Sequence, residues 1–119
     1  MKVVVTSQGN EMNSETDPRF GRAKCFILVD TVTGTHQVVD NTQNLNAAQG
    51  AGIQAAQAVA KLKAEAVLTG HCGPKAFHVL NEAGIKIYVG VEGTVQTAVE
   101  KLKAGEYKIA GSPDVEGHW

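Results

Sequence analysis

The sequence predicts an α/β fold, and three observations carry that reading. Short β-branched runs, of the kind that fill strands buried on both faces, recur along the chain. In the second half they alternate with segments whose apolar residues fall at helical spacing, and glycine-containing turns separate the two types. The length of 119 residues, 43% hydrophobic and 19% charged, suits one globular domain that buries a core of its own.

Taken in order, Lys2–Thr6 (KVVVT) is the first buried strand. Ser7–Pro18 is polar and aperiodic, and a loop of that length inside a small domain points to function or disorder. Lys24–Asp30 (KCFILVD) and Thr35–Asp40 (THQVVD) form a hairpin through the turn Thr31-Val32-Thr33-Gly34. Asn41–Gln49 reads as a second polar loop. A helix begins near Gly50, with Ile53, Ala56, Ala60 and Leu62 at helical spacing and Lys61 and Lys63 in the last turns, where cations favour a helix end. Ala66–Thr69 is a buried strand leading into Gly70-His71-Cys72-Gly73. Pro74 then opens a helix, because its missing N–H would be unpaired there anyway. Ala76, Phe77, Leu80 and Ala83 form its apolar face and Gly84 stops it. Ile85–Val89 is the last strand; after the loop Gly90–Gly93, Thr94 caps a helix with Val95, Ala98, Val99 and Leu102 on one face. Gly105 ends it. The domain is expected to cover residues 1–110, with 111–119 a flexible tail. A strand, a hairpin and then α-β-α-β-α make right-handed βαβ units with parallel strands, flanked by three helices.

Composition excludes several function classes. A net charge of −1 argues against a nucleic-acid protein. No apolar run approaches the ~20 residues of a membrane span, and the opening run is too short for a signal peptide, so a cytoplasmic protein is expected. Cys25 and Cys72 stand far apart with no CxxC, which excludes a disulfide scaffold and a self-contained four-cysteine metal site.

Chemistry should gather beyond the carboxyl ends of the parallel strands, where such sheets bind ligands. Three helix starts are expected to converge there: Gln49-Gly50-Ala51-Gly52, Gly70–Pro74 and Gly90–Thr94. Unpaired N–H groups and the helix dipole favour an anion at such starts. Any one of these glycines alone is an ordinary turn former; their concentration points to an anionic ligand. His71 and Cys72 occupy a strand-to-helix turn, where a thiol's pKa is expected to fall, giving a nucleophile or a soft metal ligand. The plainer alternative is a buried cysteine beside a surface histidine. Two adjacent residues cannot complete a tetrahedral site, so further ligands would come from elsewhere or from the ligand itself. Arg19, Arg22 and Lys24 form a basic cluster around Phe20. Cys25 reads as core, His36 and His78 as solvated or core-lining, and His118 and Trp119 carry no assignment. Neither a GxxxxGK[ST] nor a GxGxxG motif is present, and a nucleophile elbow is missing.

Several blocks occur together in order: Asp17-Pro18-Arg19-Phe20-Gly21-Arg22-Ala23, a strand ending in Val29-Asp30, Gly50-Ala51-Gly52-Ile53, Thr69-Gly70-x-x-Gly73-Pro74-Lys75-Ala76-Phe77, and Ala83-Gly84-Ile85-Lys86-Ile87-Tyr88. Over residues 1–108 the chain resembles the dinitrogenase iron–molybdenum cofactor-binding family. That family includes carriers of nitrogenase cofactor assembly, the C-terminal domain of the cofactor-precursor synthase, and the molybdenum–copper orange protein. The resemblance implies a ribonuclease-H-like fold, a five-stranded mixed sheet with the hairpin on one side of the first strand and the parallel strands on the other. It also implies non-catalytic, non-covalent binding of an anionic iron–molybdenum–sulfur or molybdenum–copper–sulfur cluster. Carried over by position, Asp17, Arg19, Phe20, Gly21, Arg22, Gly50, Gly52, Gly70, Gly73 and Lys75 would line the pocket. His71 and Cys72 are the metal-ligand candidates by location, because the family's His and Cys contacts vary in position. The partners implied are the cluster itself and cluster-assembly proteins or ATPases, with no nucleic acid and no membrane. Two other readings stay open: a regulatory or interaction module with a vestigial pocket, and a small thiol-dependent or phosphoryl-transfer enzyme. For two-metal chemistry the strand-edge loops supply chiefly Asp17 and Glu92, which is too few.

Overall fold

The protein is described by a computed structural model covering residues 1–45 and 50–114. Five strands form one sheet in the order β3-β2-β1-β4-β5. The central strand is β1 (Lys2–Ser7), antiparallel to β2 (Cys25–Asp30), which in turn pairs antiparallel with β3 (His36–Asp40). On its other side β1 runs parallel to β4 (Ala66–Leu68), and β4 parallel to β5 (Lys86–Tyr88). This is the mixed sheet that the family resemblance implies. The register places Val4 between Leu28 and Val67.

Because β1 is covered on both faces, its valines are buried without alternation: Val3, Val4 and Val5 are all fully buried. Val4 joins Phe26, Val67 and Ile87 beneath α2 (Ala51–Lys61) and α3 (Pro74–Glu82), which contribute Ala55, Ala56, Val59, Ala76 and Leu80. Val3 and Val5 face the other way, with Ile27, Val29, Ala66 and Leu68, against Val95, Ala98, Val99 and Leu102 of α4 (Val95–Lys103). The outer strand β3 is exposed along most of its length.

Among the described residues four helices flank the sheet, where three were expected. The addition is α1 (Thr42–Leu45), a single turn inside the stretch read as polar loop. Side chains set it rather than apolar periodicity. Asp40 Oδ1 accepts from the Thr42 N–H at 3.1 Å, its Oδ2 accepts from the Thr42 hydroxyl at 2.9 Å, and Asn44 Nδ2 donates to Asn41 Oδ1 at 2.8 Å. Local capping of this kind leaves no 3.6-residue signature in the sequence. Strands β4 and β5 are also shorter than their apolar runs: Thr69, Ile85 and Val89 lie just outside the ladder. Among the described residues no helix is long and apolar enough to cross a membrane.

Candidate functional site

The carboxyl edge of β1 and β4 is where the chain concentrates buried polar groups. Thr6 and Thr69, fully buried at the ends of apolar strands, stand 2.9 Å apart through their Oγ1 atoms. The Thr6 hydroxyl donates to the Asp17 carbonyl at 2.6 Å, and the Asp17 N–H donates to the Thr6 carbonyl at 2.8 Å. Those bonds fasten the long β1–β2 loop to the sheet. Its next residues are sewn to the β4–α3 turn, with the His71 N–H donating to Pro18 O at 2.7 Å and the Phe20 N–H to His71 O at 3.2 Å. Gly70 permits this approach: a Cβ there would lie 2.6 Å from Pro18 Cα and 2.8 Å from its carbonyl oxygen.

The expected site residues divide by what their side chains do. Asp17 is buried, and its Oδ1 accepts from the Arg19 N–H at 3.0 Å and lies 3.6 Å from Arg19 Nε. It shapes the turn and tethers the guanidinium, whose side chain stays 43% exposed. Phe20 points the other way, into the core, stacked on Phe26 with centroids 5.8 Å apart, so it anchors the loop rather than facing solvent. Gly21 and Ala23 offer their carbonyls to Asn41 Nδ2 at 3.2 and 2.8 Å, which holds the half-buried Arg22 between two fixed points. Gly52 packs α2 on α3, its absent Cβ replaced by Ala76 Cβ at 3.3 Å from where it would lie. Gly50 and Gly73 are the N-caps of α2 and α3; neither helix start receives a side-chain cap. Lys75 is exposed in the first turn of α3.

At the centre of the edge stands His71, its side chain 42% exposed. Its Nδ1 lies 2.9 Å from Asp114 Oδ2, while Asp114 Oδ1 accepts from the Cys72 N–H at 2.8 Å. The Asp114 N–H returns a bond to Cys72 O at 3.2 Å. A carboxylate is thus held between an imidazole and a backbone N–H just ahead of α3, and the backbone of Arg19 forms an isolated parallel bridge with that of His71.

Two expectations about this edge are corrected. The Cys72 thiol does not have a lowered pKa. Its side chain is fully buried in the α2–α3 core, and burial first, with the Asp114 charge second, pushes it up to about 12. The turn exposes the backbone of residue 72 and turns its sulfur inward. The third helix start is not open either. The Val95 and Gln96 N–H groups donate to Ser14 O and Met12 O at 3.0 and 2.8 Å, and the Thr97 N–H to Thr94 Oγ1 at 3.1 Å. The front of the same long loop saturates α4, leaving α2 and α3 as the starts that face the site.

Gln49, His118 and Trp119 lie outside the described residues. Cys25 is buried as expected, its Sγ 3.2 Å from Gly9 O, and burial raises its pKa. Thr6, Thr69, Asn41 and Asp114 are the contributors that sequence reasoning passed over. Hydroxyls closing two apolar strands were a readable signal for the threonines, whereas nothing local marks Asp114. Among the described residues no group of three or more His, Cys, Asp or Glu could hold a metal ion.

Comparison with known proteins places this architecture. In solved structures, the apo form of the orange protein from Desulfovibrio gigas is 42% identical and superposes with a TM-score of 0.93, 96% of each chain being covered. A candidate NifB protein from Thermotoga, of the DUF35 family, is 33% identical with a TM-score of 0.84 over 98% of each chain. A Methanocaldococcus jannaschii protein without an assigned role is 26% identical over 97 residues, 79% of this chain and 81% of its own. The family model described as dinitrogenase iron-molybdenum cofactor matches residues 1–105. The chain belongs to the dinitrogenase iron-molybdenum cofactor family.

Proposed function

We propose that the protein is a non-catalytic carrier of an anionic metal–sulfur cluster, of the iron–molybdenum–sulfur or molybdenum–copper–sulfur type, received from and passed to cluster-assembly proteins or ATPases in the cytoplasm. One observation carries this reading. At the carboxyl edge of the sheet, His71 and the Cys72 N–H already grip an anion, the Asp114 carboxylate, and the backbone of Arg19 is bridged to that of His71. With no cluster of three metal-ligating side chains among the described residues, a metal held here arrives with most of its ligands in place. Sulfide ligands make such a cargo anionic, which suits an exposed guanidinium and two uncapped helix starts. In this arrangement His71 is the metal ligand, Arg19, Arg22 and Lys75 supply positive charge, and Gly50, Gly70 and Gly73 keep the backbone near. Asp17, Phe20, Gly21 and Gly52 hold the frame. Cys72 contributes its N–H, and its thiol remains in the core.

Anaerobic titration of the protein with tetrathiomolybdate and Cu(I) tests this. The wild type is expected to develop a charge-transfer spectrum. His71→Ala and Arg19→Ala should each weaken binding about tenfold, the scale of one lost charge-assisted contact, and Cys72→Ala should bind as the wild type does. No spectrum with the wild type overturns the cargo. Unchanged binding by both His71→Ala and Arg19→Ala overturns the site.

A further inference from the structure

We infer that Gly111–Asp114 is a strap whose carboxylate occupies the cargo's seat and gives way when the cargo binds. The inference rests on the proposed carrier reading and deepens it. The chain after α4 is fastened at the Ala110 N–H, which donates to Ile87 O at 2.7 Å on β5. Four residues later Asp114 makes three contacts with two consecutive residues: Oδ2 with His71 Nδ1, Oδ1 with the Cys72 N–H, and its own N–H with Cys72 O. These are the groups through which an incoming anion would be held. The single Cys72 N–H cannot serve the Asp114 carboxylate and an incoming anion at once, so the carboxylate has to leave it as the cargo seats. The contact is suited to exchange. The His71 and Asp114 side chains are 42% and 28% exposed, and polar contacts so open to water hold weakly. The strap would also keep other small anions off an otherwise open seat, so that only a ligand with contacts beyond it displaces Asp114.

Asp114→Ala and Asp114→Asn test the inference with two readouts. In the cargo-free protein, exchange of the Cys72 amide should speed up about tenfold in Asp114→Ala and less in Asp114→Asn, which keeps an acceptor for that N–H. Affinity for tetrathiomolybdate with Cu(I) should rise about fivefold in Asp114→Ala and by a smaller factor in Asp114→Asn. Loading the wild type should strip protection from the Asp114 amide. Equal affinity gains in the two variants would assign the effect to charge alone and overturn the strap. So would equal affinity of wild type and Asp114→Ala, or an Asp114 amide that stays protected at saturation. Failure of all three proteins to bind overturns the carrier reading, and the strap's gating role with it. Binding with unchanged affinity overturns the strap alone.

Discussion

Replacing Gly70 with alanine probes the seam that builds the site. The added methyl would lie 2.6 Å from Pro18 Cα, 2.8 Å from its carbonyl oxygen and 3.0 Å from its Cβ. Two of these neighbours are backbone atoms, held in place by the His71–Pro18 and Phe20–His71 hydrogen bonds, so neither can rotate aside. Forcing a methyl into such a contact costs about 1–3 kcal/mol, and losing one backbone bond about 1 kcal/mol more. Alanine's stiffer unfolded chain returns roughly 0.4–1 kcal/mol. A net loss of about 2 kcal/mol follows. Unfolding entropy of about 2.1 cal/mol/K per residue turns that into a Tm lowered by about 8 °C for a chain of this size. Thermal unfolding by circular dichroism reads the shift, and the tetrathiomolybdate titration should show weaker binding because Arg19 and His71 lose their mutual register. Gly52→Ala is the internal comparison: its methyl would meet Ala76 Cβ at 3.3 Å and Ala76 N at an ordinary 3.9 Å, and a loss under about 1 kcal/mol is expected. A Gly70→Ala protein melting within about 2 °C of wild type, with intact binding, would refute the idea that this glycine holds the seam.

Three further predictions concern buried groups. The folded Cys72 thiol keeps its proton up to about 12, whereas the unfolded one releases it near the ordinary value of 9.0. Its contribution is therefore complete below pH 9 and declines as pH rises from 9 towards 12, by roughly 1.4 kcal/mol per unit. Urea midpoints between pH 8 and 11 should fall more steeply in wild type than in Cys72→Ala; parallel profiles would refute the assignment. In the native protein at pH 8 this thiol should also resist an aromatic disulfide reagent until the chain unfolds. Asn41→Ala leaves the Gly21 and Ala23 carbonyls without their donor, at a cost of about 2 kcal/mol, and frees the Arg22 segment. Denaturant unfolding measures the loss, and a change under about 0.5 kcal/mol would show that water replaces the amide.

Much of the fold was legible because the code for it is local. The KVVVT run needs a two-faced burial, Pro74 needs a helix start, and Thr94 followed by Val95, Ala98, Val99 and Leu102 needs a capped amphipathic helix; each is as expected. The one-turn α1 escaped because Asp40 and Asn41 side chains write it, not a hydrophobic period. At the site, Arg19, His71 and the glycines were visible as types in suggestive places. The direction each side chain takes was not. Adjacent residues on a turn point to different environments, so His71 meets solvent and Cys72 meets Leu80's side of the core. Asp114 was invisible for a different reason. Its role exists only because a tail returns across 42 positions to one N–H, and no short window of sequence encodes that return.

Phe20 has a consequence for how this edge would recognise anything. The residues from Gln8 to Lys24 form a connection long enough to be mobile, yet a fully buried ring on Phe26 pins its middle and the Thr6–Asp17 bonds pin its turn. Folding has thus already met the ordering entropy that a slack loop would surrender to its ligand. Arg19 is preorganised, and the free energy of contact goes into affinity instead of into arranging the binder. The same linkage means that affinity is hostage to the core: a change such as Phe26→Leu, remote from every binding group, would loosen the arginine by loosening the ring beneath it.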